Sequence, residues 1–375
     1  MKCILHVGTE KTGTSTIQDF IYRNRETLKS AGVLVPTNIG RNGNHRSLSL
    51  ASYSHKNKDK HRKAIGLYSP RKQKNFKNKI TNLLQKEILE AKSKGMKTIC
   101  ISSEHIHSRL RTNEELDNLK SILHEAGIKE TRVIIYIREQ VACMNSMLNT
   151  EVLWAGRTSD VPKPRTDEIW TNICDHKESI KRLRKTFGTK NIKVRIFEKE
   201  SFFKSDLIAD FLQAAEVEIA GEYIKEQEPR NRSISKNGLE ILLELNKELP
   251  LYLNNGSFSE ARKRIPYIFQ EVFKEGEKYG MSKEMEYAYK LEYRSSNEWV
   301  RKEYFPERVT LFSTGDNKAR RLYQAKSDSK LIAKTIASFA NGDSFSSKYL
   351  IELLLRRISR KIGAIKVSLV NRVLG

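Results

Sequence analysis

The sequence predicts an α/β fold, with a parallel sheet of the P-loop type covered by helices on both faces and a mainly helical C-terminal part. Three observations carry that reading. Short apolar runs alternate with stretches of helical spacing, a glycine-containing turn joins the first run to the first helix, and strand signals almost vanish after residue 235.

The elements follow in order. Strand-like runs occur at Cys3–Val7, Val33–Val35, Thr98–Ser102, Arg132–Ile137 and Ile192–Phe197. Helical spacing marks the stretch from Thr14 to Leu28, through Ile17, Phe20 and Ile21, and then residues 75–94, 113–126, 139–154, 172–187 and 204–215. Strands that alternate with helices in this way pair in parallel and bury both faces. Leu239, Leu242, Leu243, Leu245 and Leu249 carry the helical pattern onward. The expected organisation is a core over 1–235 with a basic insert at about 41–95, a helical extension of the same domain over 236–330, and a basic amphipathic tail over 331–375. No internal repeat is present.

Composition limits the function classes. A chain of 375 residues buries a sizeable core. No apolar segment reaches the ~18 residues of a membrane span, and the first residues run into a strand without a signal-peptide pattern, so a cytoplasmic protein is expected. Cys3, Cys100, Cys143 and Cys174 are far apart and form no C-x-x-C pair, which suggests neither a disulfide framework nor a zinc site. The net charge is +24, and residues 41 to 95 hold 15 Lys and Arg against 3 Asp and Glu. A segment so basic, and poor in apolar residues before Leu83, reads as a mobile or insert-like face that steers anionic molecules toward a site. It lacks the interleaved aromatics of a nucleic-acid surface beyond Tyr53, Tyr68 and Phe76, so no specific nucleic acid is expected as partner.

Ligands of parallel α/β sheets bind at the carboxyl ends of the strands, so the residues just after each strand matter most. The first strand runs into Gly8-Thr-Glu-Lys-Thr-Gly-Thr-Ser-Thr16. Gly8 and Gly13 keep the glycine spacing of the phosphate-binding pattern G-x-x-x-x-G-K-[ST], but Thr14 takes the lysine position and Lys11 lies inside the loop. A strand, a Gly-rich turn and a helix start aim free amides and the positive end of a helix dipole at one point. Thr12, Thr14, Ser15 and Thr16 add hydroxyls around it. The third strand ends in Ser102-Ser103-Glu104-His105, and the fourth ends in Arg138, where many nucleotide hydrolases carry a metal-holding aspartate. An arginine there repels a metal and welcomes a second phosphate. Ser146 follows eight residues later, two turns along the next helix.

Together these motifs resemble the sulfotransferases that use 3′-phosphoadenosine 5′-phosphosulfate (PAPS). In that family a loop like Lys11-Thr-Gly-Thr-Ser15 holds the 5′-phosphosulfate, and an Arg followed eight residues on by a Ser, matched by Arg138 and Ser146 in YIREQVACMNSML, holds the 3′-phosphate. The resemblance is strongest over 1–50 and 97–155. It extends to FPERVTLF at 305–312, which is similar to bacterial carbohydrate sulfotransferase-like proteins. It implies PAPS as sulfuryl donor without a metal, and a hydroxyl or amine of a carbohydrate, polysaccharide or glycolipid as acceptor. Lys11, Thr12, Gly13, Thr14, Ser15, Thr16, Arg138 and Ser146 would form the cofactor site, with Lys11 also catalytic at the bridging oxygen.

Transfer needs a base for the acceptor's proton. Glu104 is the first candidate, and His45, in Gly43-Asn-His-Arg46 after the second strand, is the rival; His105 and His107 read as surface or packing residues. Arg230-Asn-Arg-Ser-Ile-Ser-Lys236 reads either as a basic loop over the 3′-phosphate or as a Ser-capped helix start. The tail from Tyr349, with Arg356, Arg357, Arg360, Lys361, Lys366 and Arg372 among Leu, Ile and Val, reads as a helix docked on the core or in peripheral contact with the inner membrane face. The alternatives are a P-loop kinase, or an inactive polyanion-binding protein on the same fold.

Overall fold

The computed structural model describes residues 1–57, 59, 62, 65–221, 223–224, 233–252 and 257–313. The expected C-terminal tail and residues 230–232 lie outside them. The chain divides into two compact units. The first comprises Met1–Cys143, Lys163–Pro229 and Tyr287–Gly315, and the second comprises Met144–Pro162, Arg230–Glu286 and Asp316–Gly375.

The first unit holds the sheet. Its strands are β1 (Lys2–Gly8), β2 (Val33–Leu34), β3 (Thr98–Ser102), β4 (Glu130–Ile137) and β5 (Ile192–Ile196), in the order β2-β3-β1-β4-β5. Every pairing is parallel, as the alternation of strands and helices predicts. In register, Leu5 of β1 faces Ile101 of β3 and Val133 of β4, so β1 is central. The pairing with β4 slips between His6 and Gly8, where the chain leaves the sheet for the loop.

Both faces of the sheet are covered. Cys3, Leu5 and Val7 pack in one cluster with Ile80, Leu84, Ile88, Leu119 and Ile180. Ile4 points the other way, into a cluster with Ile17, Phe20, Ile21, Phe211 and Ala214. This two-residue alternation, apolar on both sides, is why the strands read as unbroken apolar runs. Burying each Leu or Ile contributes about 1.5–3 kcal/mol.

The stretch expected from Thr14 to Leu28 is two helices, Thr14–Arg23 and Arg25–Ser30, and the helix expected at 204–215 starts at Leu207; two further differences have identifiable reasons. The helix expected at 75–94 spans Pro70–Ser93. Ser69 accepts from the Lys72 amide and Pro70 holds the first position, so the start is set by cap chemistry ten residues before the buried apolar stripe begins. That stripe, Ile80, Leu84, Ile88 and Ala91, lies buried on the core, so this part of the basic segment is a packed helix with an exposed cationic face. The helix expected at 172–187 is two helices, Glu168–Cys174 and His176–Phe187, broken at Asp175. The Asp175 carboxylate accepts from the Glu178 amide at 3.3 Å and from Ser296 Oγ at 2.9 Å, and it pairs with Arg165 at 3.1 Å. Those bonds outweigh a continuous helix.

In the second unit, helix Lys236–Glu248 starts at Ser235, whose Oγ accepts from the Gly238 amide at 3.4 Å, and it buries Leu239, Ile241, Leu242 and Leu245. Asn246 ties it to the chain around Trp154 by donating to the carbonyls of Val152 at 2.9 Å and Arg157 at 2.7 Å. Among the described residues no helix is long and apolar enough to cross a membrane.

Candidate active site

The loop after β1 is held open by backbone geometry. Gly8, Lys11 and Gly13 have φ of +87°, +64° and +70°. Only glycine takes such angles without cost, so a non-glycine at Lys11 marks a conformation imposed by its surroundings. A Cβ at Gly13 would stand 2.9 Å from Phe197 Cε2 and overlap Leu207, while one at Gly8 would stand 3.1 Å from Glu104 Cβ. The loop is therefore pressed between the ends of β3 and β5.

Not every hydroxyl of the loop faces outward. Thr12 and Thr14 donate through Oγ1 to the Thr9 carbonyl at 2.7 Å and 3.2 Å, so they fasten the turn from inside. Ser15 is exposed and Thr16 half-buried. Gly13 is the N-cap of helix Thr14–Arg23 and no side chain caps it. The Thr16 amide turns back to the Gly13 carbonyl at 3.0 Å, which leaves the Thr14 and Ser15 amides of that first turn available to an anion.

Arg138, at the end of β4, reaches the same loop. Its Nη1 donates to the Lys11 carbonyl at 2.9 Å, and its guanidinium carbon lies 5.5 Å from the centre of the Phe197 ring. The His176 ring bonds the Arg138 carbonyl through Nε2 at 3.0 Å, which fixes the backbone from which the side chain projects. Burial pulls the Lys11 ammonium below its usual pKa and Arg138 pulls the same way, while Glu10 and Glu104 oppose them. Ser146 is half-buried on helix Gln140–Trp154, and it belongs to the second unit.

Glu104 opens the helix Glu104–Arg109 after β3. Its Oε2 accepts from Gln18 Nε2 at 2.7 Å, Asn44 Nδ2 lies 3.4 Å from both carboxylate oxygens, and His105 Nδ1 lies 3.5 Å from Oε1. Burial pushes its pKa above the usual carboxylate value, against the pull of the Gln18 hydrogen bond and of Arg46. Such a carboxylate is a stronger base than one in water.

His45 stands beside this group in a different role. The ring is fully buried, its Nδ1 accepts from the Ser102 amide at 3.0 Å, and its Nε2 lies 2.9 Å from the Pro36 carbonyl. Because a carbonyl only accepts, Nε2 carries the proton, and both nitrogens are engaged. Burial lowers the pKa and keeps the ring neutral. His45 thus clamps the segment after β2 to the end of β3, immediately before Glu104. His107 is also buried, and burial lowers its pKa to about 3.

Several neighbours of the site were not singled out from the sequence. Arg41-Asn-Gly-Asn44 makes a two-residue turn with φ of +49° at Asn42 and +77° at Gly43, the I′ geometry that Asn-Gly favours. A Cβ at Gly43 would overlap the Gln18 carbonyl, so the turn sits directly on the helix carrying Gln18. Gln18 itself had a legible signal, being a polar residue on the buried stripe Thr14, Gln18 and Ile21. Glu10 pairs with Arg109 at 3.5 Å, and Arg109 pairs with Asp59 at 3.3 Å.

The 305–312 segment is anchored near the end of β5. Arg308 donates to Glu198 at 3.1 Å and to Ser201 Oγ at 3.0 Å, the Ser313 amide donates to Glu198 at 2.8 Å, and Leu311 and Phe312 are buried. All four cysteines are buried free thiols, and burial pushes Cys100 and Cys143 up to about 12. Among the described residues no group of three or more His, Cys, Asp or Glu side chains is gathered as metal ligands.

No protein-family model matches the sequence, and no curated protein matches it. Among solved structures, a sulfotransferase from Alicyclobacillus acidocaldarius aligns with 64% of this chain and 89% of its own, at 13% identity and a TM-score of 0.35.

Proposed function

We propose that the protein is a sulfotransferase that moves a sulfuryl group from PAPS to a hydroxyl or amine of a carbohydrate, polysaccharide or glycolipid. One observation carries the reading: the Lys11 loop, Arg138 and Glu104 gather at the carboxyl ends of three adjacent strands, with Arg138 bonded to the Lys11 carbonyl at 2.9 Å. The donor set is cationic and amide-rich, which suits a ligand with phosphates at both ends and a sulfate on one of them. PAPS when bound supplies the sulfuryl group and leaves as 3′-phosphoadenosine 5′-phosphate (PAP).

The chain's residues divide the work. The amides around Gly13 and the Ser15 and Thr16 hydroxyls hold the 5′-phosphosulfate end, and Arg138 holds the 3′-phosphate. Lys11 stabilises the charge that grows on the bridging oxygen as the sulfur–oxygen bond breaks. Glu104 accepts the acceptor's proton as the new sulfur–oxygen bond forms, with Gln18 and Asn44 orienting its carboxylate. His45 acts through this arrangement as a positioning residue. A kinase would call for a lysine at position 14 and a metal-holding carboxylate at position 138, where the chain has Thr14 and Arg138.

Calorimetry of the full chain with PAP and with ATP, each with and without Mg²⁺, tests the class. Tight metal-independent PAP binding supports the proposal; Mg²⁺-dependent ATP binding with none for PAP overturns it.

A further inference from the structure

One arginine beside Glu104 has more donors than the described residues use. Arg46 begins the helix Arg46–Ser52, one residue after the His45 clamp. Its Nε and Nη2 are buried and have no hydrogen-bond partner among the described residues. The Tyr53 hydroxyl is likewise buried without a partner, in a residue only 2% exposed. Arg46 lies within electrostatic reach of both Glu104 and Tyr53; Asp59, Arg109 and Glu115 are also within reach of Tyr53, the two carboxylates opposing the two arginines there. The two arginines differ in one respect. Arg109 is answered by Glu10 and Asp59, whereas among the described residues no carboxylate pairs with Arg46. Nor does Arg46 serve to orient the base by a hydrogen bond, since the bonds to Glu104 come from Gln18 and Asn44.

A buried guanidinium edge and a buried hydroxyl without partners are costly unless a ligand meets them. A guanidinium fork and a phenol together match the oxygens of a carboxylate or a sulfate ester. We infer that Arg46 and Tyr53 receive an anionic substituent of the acceptor, so that the substrate is an acidic sugar whose carboxylate or sulfate lies beside the hydroxyl presented to Glu104. The inference rests on the sulfotransferase reading for the word acceptor, but the anion site stands on Arg46 and Tyr53 alone. It explains why the group facing the base is cationic: a single positive charge there selects the substrate's own negative charge and holds its neighbouring hydroxyl in place.

The test uses the full chain and three probes, methyl β-D-glucuronide, methyl β-D-glucoside and its 6-sulfate, titrated by NMR without PAP and again with PAP. At least one anionic glycoside should bind about tenfold or more tightly than the neutral one, as expected for a charge-assisted pair. The arms with carboxylate and sulfate distinguish the two anions. Arg46→Gln should abolish the preference, Arg46→Lys should keep part of it, and Tyr53→Phe, which removes only the hydroxyl, should weaken it with the fold intact by circular dichroism. Equal binding of the three glycosides, binding of none, or a preference that survives Arg46→Gln overturns the proposal. Because the first titration omits PAP, a failure of PAP to bind would count against the donor reading and leave the anion site to be judged on its own result.

Discussion

Gln18 donates to the Glu104 carboxylate at 2.7 Å, joining the helix after β1 to the end of β3. That bond favours the charged form of the base and opposes the burial that pushes its pKa up. Removing it with Gln18→Leu should raise the Glu104 pKa further, so the acid limb of the pH–rate profile moves to higher pH. An acid limb that stays in place in a folded variant would remove Glu104 from the role of base.

Glu104→Gln keeps the shape of the side chain and loses its basicity. Turnover should fall ~10²–10⁴-fold at nearly unchanged PAP affinity. His45→Asn should act mainly on the fold, since its ring is buried and bonded at both nitrogens; loss of those bonds costs about 1–3 kcal/mol in urea unfolding. A dead but fully stable His45→Asn beside an active Glu104→Gln would reverse the two assignments.

Lys11→Ala should lower turnover by about 10²–10³-fold, with a smaller loss of PAP affinity, because charge on the bridging oxygen develops only as the bond breaks. Single-turnover rates at saturating PAPS separate the two effects. Near-normal turnover would exclude Lys11 from the chemistry.

Arg138→Ala should weaken PAP far more than adenosine 5′-phosphosulfate, which lacks a 3′-phosphate. Arg138→Lys should not restore binding. A lysine has no planar fork to bond the Lys11 carbonyl, lie on Phe197 and still meet a phosphate. Equal losses for both nucleotides in calorimetry would mean that Arg138 shapes the loop and does not hold the phosphate.

The buried histidines set the response to acid. Burial lowers His6 and His107 to about 3 and His176 to about 4. Each is neutral when folded and protonates near pH 6.5 when unfolded, so the unfolded chain binds more protons between those values. Stability is full above pH ~6.5 and falls as pH drops, by up to about 1.4 kcal/mol per pH unit for each histidine, until the folded pKa is reached. Urea midpoints at pH 7.5, 6 and 5 should decline in that order, and His107→Gln should flatten the decline.

The sheet was legible because each long strand is apolar on both faces, so runs such as Val133 to Ile137 announce themselves without a partner. Helix starts governed by one capping residue, as at Ser69 and Asp175, were not, since the periodic signal begins later or runs through them. In the site, Lys11, Glu104 and Arg138 were readable as the residues that follow strands. Gln18, Asn44 and Arg46 join Glu104 only because β3 lies next to β1, and β2 next to β3, which is an order in space that the order in sequence does not contain.

The strand order also separates two kinds of change. Neighbouring strands stand about 4.8 Å apart, so the ends of β3 and β4, on either side of β1, are held roughly 10 Å from each other by the backbone itself. Asn44, Arg46, Tyr53 and Glu104 hang from the β2–β3 side of that gauge, and Arg138 from the far side. Side chains on the near flank can therefore be exchanged without retuning the far one. On the proposed reading, acceptor preference can drift through the segment after β2 while the grip on the nucleotide is inherited unchanged.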